Sequence, residues 1–221
     1  MNEYMLKMPW MDSPALALEP LFTAHGCKQT YKENVIFKHA YEPNSKLFYI
    51  LEGFCYSFTA SEDGEVNITR LHTRGSILGE ATCATEAMAI AHTKSVTPCT
   101  VYSMEYELFA RLVTGDIDLV KATIAMYSWR VASYNISHYV KNTFPAQQKL
   151  AFLLMSRHED GENGRRIFPF RFTHRQLGEL VGLSRETVSR ILSKMQSDGV
   201  IEYTDDGRIC YTYHRLQKWS Q

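Results

Sequence analysis

Hydrophobic and polar positions change their period along the chain, and each change marks a different kind of element. Between residues 20 and 104, short runs rich in β-branched and aromatic residues alternate with turns, which predicts strands. The runs are NVIFK (34–38), KLFYILEGFCYSFTA (46–60), EVNITRLH (65–72) and PCTVYSM (98–104). Asp63 and Gly64 supply a hairpin turn after the second run. Short strands at this spacing predict a small antiparallel barrel or roll.

The hydrophobic period then lengthens to that of a helix. Residues 116–141 contain no proline or glycine, so nothing in this segment interrupts a helix. Apolar positions follow alternating steps of three and four, the pattern of a helix that pairs with another. This seam consists of Leu119, Ala122, Met126, Trp129, Ser133, Ile136 and Val140. We expect a dimer contact there, because the helix carries more apolar surface than one small barrel easily covers, through Tyr127, Trp129, Tyr134 and Tyr139. A helix packed along its own domain is the alternative.

A break at NTFPAQQ (142–148) ends this helix, and Pro145 suits the first turn of the next one. We therefore expect an α+β chain with three parts. They are a β-roll that senses an effector (1–115), a dimerisation helix (116–142) and a C-terminal domain (143–221).

Two short helices joined by a tight turn are predicted in the C-terminal domain. Thr173 followed by Gln176 is a capping box, and Gly182 ends the first helix where a left-handed backbone is required. Ser184 caps the second helix, which extends to about Ser197. This geometry predicts a helix-turn-helix, whose second helix enters the DNA major groove.

The second helix has two chemically different faces. Its apolar side, which must be buried, comprises Val188, Ile191, Leu192 and Met195. Its polar side comprises Arg185, Glu186, Ser189, Arg190 and Ser193. Arginine suits guanine O6 and N7, and glutamate accepts from cytosine N4. The following segment, 199–213, predicts a hairpin wing that turns at Asp206-Gly207. An ordinary solvated helix face is the alternative.

Charge and cysteine content agree with this interpretation without proving it. The chain has no net charge, but residues 143–221 carry 12 Lys and Arg against 9 Asp and Glu. The five cysteines include no CxxC pair, and the eight histidines include no HxxxH, so we predict reduced thiols, no metal and no cofactor. Without an apolar run that suggests a signal peptide or membrane span, the chain is expected to be cytoplasmic.

The motif FTHRQLGELVGLSRETVSRIL, with LFYILEG and GSILGE, resembles the CRP/FNR family of bacterial transcription factors. The resemblance covers residues 20–213 and implies a β-roll sensor, a dimerisation helix and a winged helix-turn-helix. It implies base contacts by Arg185, Glu186, Ser189 and Arg190, and phosphate contacts by Thr173, Arg175 and Ser184. The implied partners are a second copy, a small-molecule effector and double-stranded DNA with a TGTGA-like core, and RNA polymerase stays open.

The sensor departs from the cyclic-AMP branch of this family. Gly79 and Glu80 match the pair that contacts the ribose in that branch, but Ala89 stands where an arginine grips the cyclic phosphate. Burying a phosphate without a cationic partner is costly, so we expect an effector other than cyclic AMP. The expected pocket comprises Gly79, Glu80, Ala89, Ala91 and Tyr127. An apolar or aromatic effector, as in the branch that senses halogenated phenols, is an analogy only.

Two other functions stay open. One is a DNA-binding regulator that needs no ligand and has a purely structural roll. The other is an enzyme with a small-molecule site in the barrel, although no nucleophile–base pair or phosphate loop is visible. Cys83 beside the pocket is expected to be a buried structural thiol.

Overall fold

The structure, a computed structural model, describes residues 10–11, 15–85 and 88–220. These residues form two compact units, 10–133 and 134–220. The ends of the expected sensor (1–115) and DNA-binding (143–221) domains lie partly outside the described residues, and these domain limits stay predictions.

In the first unit, eight described strands form two four-stranded antiparallel sheets. Their orders are β1-β8-β3-β6 and β2-β7-β4-β5. The strands are β1 (Cys27–Tyr31), β2 (Ile36–Lys38), β3 (Lys46–Glu52), β4 (Cys55–Ala60), β5 (Val66–His72), β6 (Ile77–Leu78), β7 (His92–Ser95) and β8 (Cys99–Glu105). The helices that accompany them are α1 (Glu19–His25), α2 (Glu80–Thr85) and α3 (Tyr106–Thr114), with a 3-10 turn at Leu16–Leu18.

The strand run that the sequence presents as continuous between 46 and 60 is divided at Gly53. This glycine has a φ of 91°, and a Cβ there would lie 2.3 Å from the carbonyl oxygen of Pro98. The chain therefore bends between β3 and β4, and each strand enters a different sheet. The hairpin predicted around Asp63-Gly64 joins β4 to β5, with Ala60 opposite Val66.

The long helix predicted from residue 116 is present as α4 (Ile117–Thr143). Asp116 begins it by accepting a 2.8 Å hydrogen bond from the backbone N–H of Asp118. Met126 packs into the core of the roll, in a cluster that includes Phe22, Tyr49 and Phe109. The first part of this helix is thus fixed by the core of its own unit.

The second unit contains the two helices predicted from their caps. Its helices are α5 (Ala146–Ser156), α6 (His174–Val181), α7 (Arg185–Ser197) and α8 (Tyr213–Trp219), with a 3-10 turn at Glu162–Gly164. Four short strands form an antiparallel sheet in the order β11-β12-β10-β9. They are β9 (Glu159–Asp160), β10 (Arg166–Ile167), β11 (Ile201–Tyr203) and β12 (Ile209–Tyr211).

Together the two units confirm the fold class expected from the sequence: an N-terminal β-roll, a long helix and a C-terminal winged helix-turn-helix. Within the described part of the chain, no helix combines the length and apolarity needed to cross a membrane.

Candidate nucleic-acid interface and sensor pocket

Helix α6 is held at both ends by the residues that the sequence indicated. The Thr173 Oγ1 accepts from the backbone N–H of Gln176 at 3.2 Å, and the Gln176 side chain accepts from the backbone N–H of Thr173 at 2.9 Å. Gly182 follows the helix with a left-handed φ of 73°. A Cβ on Gly178 would lie 2.3 Å from the carbonyl oxygen of Leu183, so glycine there lets the turn pack closely.

Helix α7, the recognition helix, begins at a second side-chain cap. The Ser184 Oγ accepts from the backbone N–H of Thr187 at 3.2 Å. Its apolar side is buried as expected, through Val188, Ile191, Leu192 and Met195. Burial of this side anchors the helix in its unit, so the opposite side must face outward.

The outward side of the recognition helix carries the four predicted base-contacting residues. Arg185, Glu186 and Arg190 are exposed, and Ser189 is half-buried. Together with Ser193 these residues line one open surface depression. The structure thus brings two guanidinium groups, a carboxylate and hydroxyl groups onto one accessible surface.

The three predicted phosphate-contacting residues differ in the contacts that their side chains already make within the protein. The hydroxyl oxygens of Thr173 and Ser184 serve as helix caps, which leaves these residues at helix N-termini where backbone N–H groups attract anions. Arg175 is exposed, but its Nε donates to Glu179 Oε1 at 2.9 Å. A phosphate contact by Arg175 would therefore compete with this ion pair.

The wing turns at Asp206-Gly207, as the sequence predicted. Gly207 has a φ of 79°, and the Thr204 backbone N–H donates to the carbonyl oxygen of Arg208 at 2.9 Å. The Arg208 guanidinium donates to Asp206 at 2.7 Å and to Glu159 at 2.6 Å. The cation of the wing is therefore occupied by two carboxylates.

In the sensor, Gly79 has a structural reason to be glycine. Its φ is 94°, and a Cβ there would lie 2.5 Å from the carbonyl oxygen of Lys46. The next residue, Glu80, begins α2 and is only 8% exposed.

The partner of Glu80 was not identified from the sequence. Arg130 of the long helix donates through Nη1 to the Glu80 carboxylate and through Nη2 to the carbonyl oxygen of Ile77 at 2.8 Å. Arg70 lies beside this pair, because its Nη2 donates to the Arg130 carbonyl oxygen at 3.4 Å. Among the described residues of the roll, these two guanidinium groups are buried, and both are engaged by protein atoms.

The other predicted pocket residues are only partly brought together. Tyr127 lies near Glu80, and its burial raises the pKa of its hydroxyl to about 12, with the negative charge of Glu80 adding to the increase. Ala89 instead pairs with a loop, since its carbonyl oxygen accepts from the Tyr41 N–H at 2.7 Å. Ala91 is half-buried just before β7.

Cys83 does not have the properties of a nucleophile. Its Sγ lies 3.3 Å from the carbonyl oxygen of Asn44, and burial raises its pKa to about 11. The positive charge of Lys38 nearby partly opposes that increase, while burial lowers the pKa of Lys38 itself.

Among the described residues, no three His, Cys, Asp or Glu side chains are grouped so that they could hold a metal ion.

Along the long helix, the seam expected at a dimer contact is partly buried within the chain. Met126 is 4% exposed and Val140 is fully buried, while Leu119, Trp129 and Ile136 are half-buried. A subunit contact through Met126 and Val140 would need side chains that are already packed. The apolar stripe that this helix leaves exposed is instead Ile117 (66%), Ile124 (60%) and Val131 (60%).

Comparisons with known proteins match both units. The cyclic nucleotide-binding domain model matches residues 28–116, and the Crp-like helix-turn-helix domain model matches residues 148–218. The chain is 27% identical over 191 residues to the cAMP-activated global transcriptional regulator CRP of Pasteurella multocida, covering 81% of this chain and 88% of that protein.

Solved structures share the fold at low sequence identity. A CooA mutant from Carboxydothermus hydrogenoformans matches with a TM-score of 0.79 at 16% identity, over 97% of this chain and 99% of that one. The c-di-GMP responsive global regulator CLP of Xanthomonas campestris matches with a TM-score of 0.76 at 19% identity, over 89% and 99%. One relative is named as cAMP-activated and one structural neighbour as c-di-GMP responsive, so the likeness does not identify the effector of this chain.

Proposed function

Because the chain belongs to the CRP/FNR family of transcription regulators, with a cyclic nucleotide-binding-like domain and a DNA-binding helix-turn-helix, we propose that it is an effector-controlled homodimer that reads a pseudo-palindromic operator. In this proposal, Arg185, Glu186, Ser189 and Arg190 contact bases, and the effector is not cyclic AMP. The protein acts in the cytoplasm, where bacterial DNA lies, and it catalyses no reaction.

The outward face of the recognition helix carries this proposal. Each arginine there offers a fork of donors that fits guanine O6 and N7, and Glu186 offers an acceptor for cytosine N4. Among the described residues, Arg185 and Arg190 make no side-chain hydrogen bond or ion pair, so both guanidinium groups are available to DNA. The helix is held rigidly from behind by its buried side, which supports precise readout.

A second copy would dock on the exposed stripe of the long helix. Members of this family act as dimers, and Ile117, Ile124 and Val131 recur every seven residues on one accessible side. Two recognition helices related by a two-fold axis would read half-sites about 34 Å apart. The two-fold symmetry of such a dimer is what makes the operator pseudo-palindromic.

For the effector, the absence of a cation at Ala89 supports a ligand other than cyclic AMP. The two guanidinium groups inside the roll, of Arg70 and Arg130, already bond to protein atoms. A cyclic phosphate would have to compete with those contacts. Calorimetric titration with cyclic AMP should therefore detect no stoichiometric binding in the micromolar range, and such binding would refute this part of the proposal.

The test of DNA reading uses the full-length protein and two duplexes. One carries inverted TGTGA half-sites one helical turn apart, and the other has the same composition in scrambled order. Arg185→Ala should weaken binding to the first duplex by about 1–3 kcal/mol per half-site and relax the preference at one base pair. Its affinity for scrambled DNA should change far less.

Two observations would contradict the proposal. Equal weakening on both duplexes would mean that α7 is not the recognition element. Sequence-specific binding would be ruled out if the wild-type protein showed no preference for the TGTGA duplex over scrambled DNA and also selected no palindrome from a random duplex library.

A different result would favour a regulator that needs no ligand. Such a protein would bind the operator fully as purified, and its operator affinity would not respond to any metabolite fraction.

A further inference from the structure

Arginines of the second unit differ in whether their guanidinium groups are already engaged. Most make contacts inside the unit: Arg165 with Glu202, Arg166 over the ring of Tyr213, Arg175 with Glu179, Arg208 with Asp206 and Glu159, and Arg215 with the carbonyl oxygen of Gly199. Arg157 is half-buried. Over the described residues 134–220, the exposed arginines that make no hydrogen bond or ion pair are Arg171, Arg185 and Arg190. Arg171 is thus exposed and unengaged, like the two predicted base-contacting arginines.

Arg171 lies between the wing and the start of α6. It precedes the cap residue Thr173 by two positions. A Cβ placed on Gly207 would stand 3.4 Å from the Arg171 Nε and 3.8 Å from its Nη2, so the guanidinium lies against the wing turn. Independently, Phe172, His174 and Gly207 line one small cavity, which brings the wing turn and the first residues of α6 together.

The wing turn needs a cation from elsewhere if it is to approach DNA. Asp205 and Asp206 are both exposed there, and Arg208 is occupied by Asp206 and Glu159. A phosphate that approached the turn would meet carboxylates, which repel it. Arg171 supplies an unengaged, permanently charged fork at this place, and such a fork matches phosphate geometry.

We propose that Arg171 contacts a DNA phosphate beside the wing, and that it anchors the protein on the DNA backbone without reading sequence. The inference rests on the proposed function, since it assumes that α7 occupies the major groove. In helix-turn-helix proteins the first helix crosses the backbone, which puts the N-terminus of α6 near phosphates. The residues that flank it therefore position the recognition helix.

The experiment measures affinity against salt concentration for the TGTGA duplex and its scrambled counterpart. Arg171→Gln removes one phosphate contact per protomer, hence two per dimer, and each contact contributes about 0.9 to the slope of log affinity against log salt. The ratio of wild-type to R171Q affinity should therefore fall about tenfold between about 50 and 200 mM salt on both duplexes. Arg171→Lys should keep most of the slope, because the charge remains.

Arg165→Gln is the matched control, since Arg165 is an exposed arginine of the same unit that Glu202 already engages at 2.5 Å. It removes the same charge and should leave the slope nearly unchanged. The proposal is overturned if R171Q behaves like R165Q, if R171K loses as much slope as R171Q, or if R171Q weakens only the TGTGA duplex. If R171Q fails in one of these ways but R185A still weakens the TGTGA duplex far more than the scrambled one, the proposed function survives. If R185A weakens both duplexes equally, both proposals fall.

Discussion

The recognition helix and the long helix both bury apolar residues, yet they differ in how firmly the sequence assigns the buried side. The recognition helix has one apolar side, and that side is buried in its own unit. Apolar residues surround more of the long helix: Met126 is buried in the roll, whereas Ile124, two positions earlier, is 60% exposed. A single apolar stripe identifies its own buried side, but two stripes leave open which one meets the chain's own core.

This difference bears on the expected dimer seam, which stays a prediction. Steps of three and four through Met126 and Val140 describe a helix packed against something, and for Met126 the partner is the roll. The exposed apolar residues that remain for contact with another subunit are spaced seven positions apart: Ile117, Ile124 and Val131. The alternative of a helix packed along its own domain therefore describes the side that carries Met126.

An aspartate introduced on either side of the long helix should give the largest effects on stability and on assembly. Met126→Asp buries an unpaired carboxylate in the roll core and should lower the free energy of unfolding by at least about 4–5 kcal/mol. Ile124→Asp should keep the native circular dichroism but sediment as a monomer. Urea unfolding and sedimentation equilibrium measure the two outcomes. If M126D folds but is monomeric, and I124D is dimeric, the subunit contact would lie on the seam expected from the sequence.

The buried ion pair between the roll and the long helix should give the next largest effect. Glu80→Ala leaves Arg130 without its carboxylate and should cost about 3–5 kcal/mol of stability. The double variant with Arg130→Met should recover part of that loss, which a double-mutant cycle measures.

The matched change on the recognition helix is Glu186→Ala, which removes an exposed carboxylate. It should alter the free energy of unfolding by less than about 0.5 kcal/mol. Equal losses for Glu80→Ala and Glu186→Ala would mean that the buried pair does not hold the roll to the helix.

Apart from the control variants, the smallest effect should come from the cap of α6. Thr173→Ala removes the hydroxyl that accepts from the Gln176 N–H, and it should lower the free energy of unfolding by about 1 kcal/mol. Ser193→Ala, at an exposed site inside α7, serves as the control and should be nearly neutral. Denaturant midpoints for the two variants give the comparison. A neutral T173A would show that the capping box contributes little to this helix-turn-helix.

The sequence by itself determined the parts of the molecule that local interactions control. The capping box at Thr173, the left-handed Gly182, the cap at Ser184 and the wing turn at Asp206-Gly207 all involve residues within four positions of each other. Such contacts form from neighbouring residues whatever the rest of the chain does. They fix where α7 begins, and its helical period gives Arg185 and Arg190 to the polar side, so the proposed DNA-reading face could be derived from the sequence alone.

Only the tertiary structure decided which distant residues meet. Glu80 and Arg130 are separated by 50 positions, and neither composition nor period indicates that they pair. The same holds for Arg171 against Gly207, for the order β1-β8-β3-β6, and for the side of the long helix that carries Met126. These contacts depend on how sheets and helices pack, because many segments offer similar apolar surface and the core selects the combination that fills its volume.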